Sequence, residues 1–273
     1  MRFVFKWLIR LIVIIISAAL TICVIVGFVS PETSCIPSIM GLGFIPLVIL
    51  NMLAFSYLLF GWSKWVWLPI IALMLNYGNI QNTIGNLTSK EPDLSTKSIK
   101  ILTLNSHLFG YFQNVETNDV STSILSDLRS ENADVICLQE FLSLNNHTAN
   151  RVKARLGYEF SYFAKLHDGR KVGEYGMLIL SRFPIIDEGF IEFSKYTGNI
   201  GAWVDLSIDG VKYKIIGVHM ESIGLGIQDF ENLKQPKLDE SKGTIRKLCE
   251  ASGKRFRPVK KLQKMIEKSA FPV

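Results

Sequence analysis

Cysteine is scarce in this chain of 273 residues, and its spacing excludes two common kinds of small structural site. The four cysteines are Cys23, Cys35, Cys137 and Cys249, and no pair has the CxxC spacing of a zinc site. Their scattered positions also indicate no disulfide framework. Cys23 and Cys137 lie inside apolar runs, so we expect both to be small buried side chains.

Charge is nearly absent from the first third of the chain, which accounts for the positive mean hydropathy of +0.26. Leu11 to Val29 is an uncharged run after Arg2, Lys6 and Arg10. A helix of about 20 apolar residues crosses a bilayer, so this run is long enough. A secretory signal has a shorter apolar region that ends at a small-residue cleavage site, and none is evident before Pro31. An uncleaved transmembrane helix is therefore favoured.

Two further apolar runs follow, so the sequence predicts two or three membrane helices within residues 1–80. The second run is Ile39 to Trp62, and the third extends from Trp65 to about Leu75. The third is the weakest and is also compatible with a re-entrant or interfacial segment. Tryptophans on both sides of Lys64 are typical of a membrane–water boundary.

Basic residues near these runs predict the orientation. The positive-inside rule places the N-terminus and Lys64 in the cytoplasm. Three spans would then put everything after residue 80 on the outer side of the membrane, whereas two spans would leave it in the cytoplasm. We predict a multi-pass protein of the cell membrane whose soluble part lies on the outer, periplasmic side.

The rest of the chain has an α/β pattern. Residues 81–98 are polar with Pro and Gly and form a predicted linker. Apolar strand patterns and helical periodicities then alternate. Strands are predicted at 99–104, 133–140, 158–166, 175–180, 185–193, 201–208 and 212–218, and helices at 119–132, 147–157 and 239–268. The Asp209–Gly210 pair between two strands predicts a hairpin.

Three predicted strands end in polar residues that buried strands do not need. Asn105 closes KILTLN, Glu140 closes DVICLQE, and His219 follows KYKIIGV. The carboxyl ends of strands are where α/β sheets place their ligands. Each residue alone has an ordinary structural explanation, but their common position predicts a site.

The segments KILTLNSH, ADVICLQEF, YGMLILSRFPI and KIIGVHMES, in this order, resemble endonuclease/exonuclease/phosphatase domains, the DNase I-like hydrolases. The N-terminal helices are similar to the membrane-bound bacterial members. The resemblance implies an α/β fold: transmembrane helices followed by a partial four-layer α/β sandwich. It also implies a phosphoesterase domain over residues 99–273.

The resemblance implies roles for the three strand-end residues. Glu140 matches the metal-binding glutamate, which would hold Mg²⁺ (or Mn²⁺). Asn105 matches the catalytic asparagine that helps to place the phosphate and the metal shell, and His219 matches the catalytic histidine that contacts the scissile phosphate. Arg182, after the strand in GMLILS, is compatible with phosphate contact or with a structural ion pair. The implied substrate is a phosphoester in a nucleic acid, a phospholipid or a small phosphodiester, and no protein partner is inferable.

The sequence departs from the family pattern after His219. The GDFN-type and SDH-type motifs, which would supply the water-positioning residues and the Asp–His general base, are absent. General-base catalysis is typically worth about 10²–10⁴ in rate. We therefore expect a C-terminally incomplete member of the family with little activity of its own.

A basic C-terminal segment supports an alternative function. From Ser241 to Val273 the chain has ten Lys and Arg residues and two acidic residues. Such a segment could bind anionic lipid or nucleic acid through side chains such as Lys260, Lys261 and Lys264, and the protein would then be a non-catalytic, membrane-tethered binding module. A solvated helix face is the plainer interpretation of this segment. A third alternative for the whole chain is a small membrane protein whose residues 99–273 are a decaying, unfolded tail.

Overall fold

The computed structural model of the protein describes residues 2–85, 98–110, 117–143, 148–166, 173–193, 199–220, 222–224, 226 and 238–273. Most of the predicted linker therefore lies outside the described residues. The chain divides into two compact units. The first comprises Met1–Asp93 and Ser222–Phe256, and the second comprises Leu94–Glu221 and Arg257–Val273.

The N-terminal part of the first unit is helical, as its apolar runs predict. Its helices are α1 (Arg2–Val26), α2 (Ile36–Phe60), α3 (Trp67–Leu75) and α4 (Tyr77–Ile84). The segments Phe3–Val26 and Ile36–Phe60 are long and apolar enough to cross a membrane, with mean hydropathies of 2.9 and 2.1. The third apolar run forms a shorter helical stretch, Lys64–Leu75.

Two buried asparagines join these apolar helices. Asn51 Oδ1 accepts a hydrogen bond from Ser17 Oγ at 2.9 Å, and Asn51 Nδ2 donates to Ile16 O at 3.1 Å. Asn76 Nδ2 donates to Leu20 O at 2.8 Å. An amide without a partner in apolar surroundings is costly, so these bonds fix α2 and the end of α3 against α1.

A disulfide corrects the prediction from cysteine spacing. Cys35, just before α2, is bonded to Cys249 in the long helix α7 (Leu238–Glu267), at a sequence separation of 214 residues. The prediction of no disulfide was wrong because spacing along the chain says nothing about residues that far apart. Cys23 and Cys137 are buried and free, as expected. Burial raises the pKa of the Cys137 thiol to about 12, so it is an unreactive core side chain.

The second unit contains a four-stranded sheet in the order β1-β2-β4-β3. Its strands are β1 (Ile101–Asn105), β2 (Val135–Ser143), β3 (Phe160–Leu166) and β4 (Glu174–Ser181). The parallel pair β1 and β2 is connected through α5 (Thr117–Glu131), and α6 (Ala149–Leu156) precedes β3. Apolar residues of both helices pack on one face of this sheet, around Ile136, Leu138 and Phe141.

A second, antiparallel sheet has the order β5-β6-β7. It consists of β5 (Ile185–Glu192), β6 (Ile200–Ile208) and β7 (Val211–His219). The predicted hairpin is confirmed, because Asp209 and Gly210 connect β6 to β7 with φ values of +51° and +81°. Positive φ at both central residues is what a tight type I′ hairpin needs and what an Asp-Gly pair permits.

The two sheets stack face to face and build the main core of the unit. Cys137, Met177 and Ile179 of the first sheet pack against Ala202 and other buried residues of β6. The sheets come close at Gly217, where an added Cβ would lie 2.6 Å from Met177 Sδ. The helices α5 and α6, the four-stranded sheet and the three-stranded sheet therefore form successive layers, as in the predicted sandwich. This stacking brings the ends of β1 and β7 to the same region of β2.

Candidate active site

The three strand-end residues predicted from the sequence lie together. Asn105 Nδ2 donates a hydrogen bond to Glu140 Oε1 at 3.0 Å. His219 Nε2 lies 3.3 Å from the same carboxylate oxygen. Asn105 at the end of β1 and His219 at the end of β7 thus both contact the carboxylate of Glu140 in β2. The geometric part of the prediction, that these side chains share one location, agrees with the structure.

Glu140 is aimed into this location by an irregularity of β2. The pairing of β2 with β4 shifts between Leu138 and Phe141, which marks a β-bulge. Glu140 has a φ of +49°, an uncommon conformation for a residue other than glycine. Bulges turn a side chain away from the regular alternation of a strand. Leu138 and Phe141 are both fully buried, while the Glu140 side chain remains 21% exposed.

Ser106 holds the bulge from the end of β1. Its buried hydroxyl contacts Gln139 O at 2.9 Å and Glu140 O at 3.0 Å. The Ser106 backbone N–H also donates to Gln139 O at 2.9 Å. One small residue therefore satisfies the carbonyl groups that the bulge removes from the regular ladder.

We expect Ser106→Ala to lower the free energy of unfolding by about 1–3 kcal/mol, because the Glu140 carbonyl loses its hydroxyl donor, while Gln139 O keeps the backbone N–H of residue 106. Urea unfolding monitored by circular dichroism measures this loss. Ser130→Ala is a matched control, since Ser130 is an exposed serine whose hydroxyl bonds within α5 to Asp127 O. A Ser106→Ala protein as stable as the control would contradict the supporting role.

A second histidine, not predicted from the sequence, contacts the same carboxylate. His107 Nδ1 lies 3.5 Å from Glu140 Oε2, and its side chain is 68% exposed. Its backbone N–H donates to Asn105 Oδ1 at 2.9 Å. His107 lies two positions after Asn105, the predicted end of β1. The argument from strand ends would have predicted His107 if it had included the turn that follows the strand.

Arg182 does not contribute to this cluster. Its guanidinium donates to Asn132 Oδ1, lies 4.0 Å from Asp134 Oδ1 and stands 5.8 Å from the ring centroid of Tyr158. Of the two interpretations of Arg182, the structural ion pair agrees with these contacts.

The chemistry of the donor set fits a hard divalent cation. Within the described part of the chain, no group of three or more His, Cys, Asp or Glu side chains is arranged to hold a metal. Mg²⁺ is commonly bound through one or two carboxylates, with water and substrate phosphate completing its coordination. A single, partly exposed carboxylate at a strand bulge, flanked by an amide and two imidazoles, is compatible with that mode of binding.

Comparison with known proteins gives two family models. Residues 102–241, just over half of the chain, match the endonuclease/exonuclease/phosphatase family. Residues 5–83 match a family described as a domain of unknown function. No curated protein matches the chain.

Solved structures of the same family are also similar. An endonuclease/exonuclease/phosphatase family protein from Leptotrichia buccalis is 17% identical over 51% of this chain and 63% of its own, with a TM-score of 0.38. TDP2 from Caenorhabditis elegans is 16% identical over 82% of this chain and 61% of its own, with a TM-score of 0.41. Sphingomyelinase C from Streptomyces griseocarneus is 23% identical over 48% of this chain and 52% of its own, with a TM-score of 0.39.

This chain thus spans only about half to three fifths of the length of those structures. The family model covers β1 to β7 and all three strand-end residues. With the layered α/β architecture of the second unit, that match identifies a DNase I-like fold. The chain belongs to the endonuclease/exonuclease/phosphatase family.

Proposed function

We propose that this protein is a membrane-anchored, metal-dependent phosphoesterase whose site is built around Glu140. The observation that carries the proposal is the convergence of Asn105 Nδ2 and His219 Nε2 on Glu140 Oε1, at 3.0 and 3.3 Å. Strand-end amide, imidazole and carboxylate groups in contact form a set of donors and acceptors suited to a phosphate and its counter-ion.

Glu140 is the residue that would hold Mg²⁺ or Mn²⁺ in this proposal. Such an ion, when bound, would neutralise phosphate charge and polarise the phosphorus–oxygen bonds. Asn105 orients the carboxylate, because its Nδ2 donates to Oε1 while its Oδ1 accepts from the His107 backbone N–H. Neither atom of the amide can turn away without losing one of these bonds.

His219 supplies a hydrogen-bond donor to the phosphate oxygens. Its ring lies at the end of β7 with 18% of the side chain exposed, so the imidazole is held in place yet reachable. A donor fixed where charge develops stabilises the transition state without having to reorganise. His107 is more exposed and stands on the other carboxylate oxygen, where it can contact a larger substrate.

The proposed substrate is a phosphoester of a nucleic acid, a phospholipid or a small phosphodiester. Among the similar structures, one is a D. rerio TDP2 complexed with a single-strand DNA product, one is a sphingomyelinase C and one is ANGEL2, a 2′,3′-cyclic phosphatase. These names point to different substrates, and fold alone does not select among them.

The proposed location is the cell membrane, with residues 1–80 as a multi-pass anchor, 81–98 as linker and 99–273 as the hydrolase domain on the outer side, a placement that requires the shorter stretch Lys64–Leu75 to return the chain across the membrane as a third span. Basic residues at the N-terminus and at Lys64 support a cytoplasmic position for both. The segment that joins α1 and α2 is then outside, and it contains Cys35. The disulfide of Cys35 supports this orientation, because disulfides persist in oxidising compartments such as the periplasm.

Hydrolysis of bis-p-nitrophenyl phosphate by the detergent-purified chain tests the proposal. We expect slow hydrolysis in Mg²⁺ that stops in EDTA and falls about 10²–10³-fold in His219→Ala, as for loss of a single donor to a developing oxyanion. It should be slow because the sequence has no SDH-type general base. A folded chain whose hydrolysis is absent, or indifferent to EDTA and to His219→Ala, would contradict the proposal.

A further inference from the structure

The first half of α7 is strongly basic. Residues 242–256 contain five Lys and Arg and one acidic residue. Lys242, Arg246, Lys247 and Lys254 are exposed. Arg246 Nε donates to Glu250 Oε1 at 2.9 Å, yet its side chain remains 81% exposed. An exposed pair of this kind is weak, so it does not prevent the guanidinium from binding an anion.

Two of these cations share a helix face with residues that contact the segment joining α1 and α2. Positions 242, 246, 249 and 253 follow the spacing of four, three and four residues that places side chains on one face. Cys249 on this face is bonded to Cys35. A Cβ on Gly253 would lie 3.8 Å from Pro31 O, and Ser252 beside it hydrogen-bonds to Ser38.

The joining segment fixes the depth at which this face lies. Only nine residues separate the end of α1 at Val26 from the start of α2 at Ile36. When both helices cross a bilayer, so short a connection remains at the level of the headgroups. With the proposed membrane anchor, the disulfide therefore holds Cys249 at headgroup level, on the same helix face as Lys242 and Arg246.

An open cavity borders the same joining segment. It has a volume of about 270 Å³ and is lined by residues that include Cys23, Val26, Gly27, Pro37, Met40 and Phe44. The lining at the ends of α1 and α2 is mostly apolar, and α4 adds the polar residues Asn79, Asn82 and Thr83. A largely apolar recess that shares the joining segment with a cationic helix face matches a molecule with an acyl chain and an anionic head.

We propose that this face of α7, with Lys242 and Arg246 as its principal cations, binds the phosphate headgroup of anionic phospholipids. The inference rests on the proposed membrane anchor but is independent of hydrolysis at Glu140. A lipid fits better than a nucleic acid, because the disulfide holds the face at headgroup level and the neighbouring cavity is apolar. Arginine binds phosphate through two parallel hydrogen bonds, and lysine adds a mobile point charge.

Native mass spectrometry of the full chain in a neutral detergent, titrated with phosphatidylglycerol or phosphatidylcholine, tests the proposal. Each cation near a membrane surface contributes enough for about a fivefold change in affinity. We therefore expect Lys242→Gln with Arg246→Gln to bind phosphatidylglycerol about thirtyfold more weakly, and each single variant about fivefold more weakly. Binding of phosphatidylcholine should be unchanged.

The matched control removes two exposed cations from α6, as Arg151→Gln with Arg155→Gln. It lowers the net charge equally and should bind phosphatidylglycerol as the unmodified chain does. If the control bound phosphatidylglycerol as weakly as the α7 variants do, the loss of affinity would follow from net charge alone, and the proposal would be overturned. Unchanged phosphatidylglycerol binding in the α7 variants would also overturn the proposal. If a parallel titration with a single-stranded oligonucleotide showed that these variants lose affinity only for the oligonucleotide, the face would bind nucleic acid instead.

Discussion

Replacement of Glu140 by glutamine is expected to weaken Mn²⁺ binding by at least about a hundredfold. Loss of a group that only orients a metal ligand typically costs about 10–100-fold in metal affinity. Glu140 is the carboxylate on which Asn105 and His219 converge, so in our proposal it contacts the metal itself. Glutamine keeps the shape of the side chain, and its amide oxygen can still accept from Asn105, but it loses the negative charge that a hard divalent cation requires.

Electron paramagnetic resonance of Mn²⁺ measures free and bound metal directly and does not depend on turnover. Glu174→Gln is the matched control, because Glu174 is a glutamate of the same sheet whose carboxylate is half exposed and paired with Lys165. It should bind Mn²⁺ as the unmodified chain does. If Glu140→Gln and Glu174→Gln bound the metal equally well, Glu140 would not be the ligand and the proposed site would fail.

Gly176→Ala is expected to lower the free energy of unfolding of the second unit by about 3 kcal/mol or more, the upper end of what overpacking costs. An added Cβ would lie 2.0 Å from Ala164 O, a backbone atom of β3. A side chain can rotate away from a new methyl group, but a carbonyl in a strand ladder can move only with its strand. Gly176 is also the partner of Phe141, directly after the bulge that carries Glu140.

Hydrogen exchange of the β3 and β4 amides, followed by mass spectrometry, reports this loss in the affected unit alone. Gly243→Ala in α7 is the control, since nothing lies within 4 Å of its added Cβ. Alanine there should raise helix stability by about 1 kcal/mol. Unaltered protection of β4 in Gly176→Ala would show that the sheet accommodates the methyl group, contrary to this prediction.

The order of strands and helices in the second unit was predictable because its determinants are local. Short apolar runs separated by turn residues predicted β1 to β7, and helical periodicity predicted α5 to α7. The hairpin at Asp209–Gly210 followed from the ability of those two residues to adopt positive φ. Differences are of one to three residues at the ends of elements, the largest at β2, which was predicted to end at residue 140 and ends at Ser143.

The location of the candidate site was also predictable, since Asn105 and His219 end their strands and Glu140 was expected to end β2, although β2 continues past Glu140 to Ser143. Their exact geometry was not. Glu140 reaches Asn105 and His219 through a bulge in β2, and a bulge depends on how the strand pairs with β4 rather than on its own residues. His107 joins the cluster because the turn after β1, with φ of +46° at His107, folds back toward Glu140.

The sequence by itself determined the family, the succession of elements, the long apolar helices and the residues that end the strands, because these depend on neighbours within a few positions. Only the tertiary structure decided the bulge at Glu140, the place of His107 and the bond between Cys35 and Cys249. Each of these depends on residues that are distant in the chain and are brought together by packing. Spacing could not reveal a disulfide that spans 214 residues, because the chain between the two cysteines sets their distance only when it is folded.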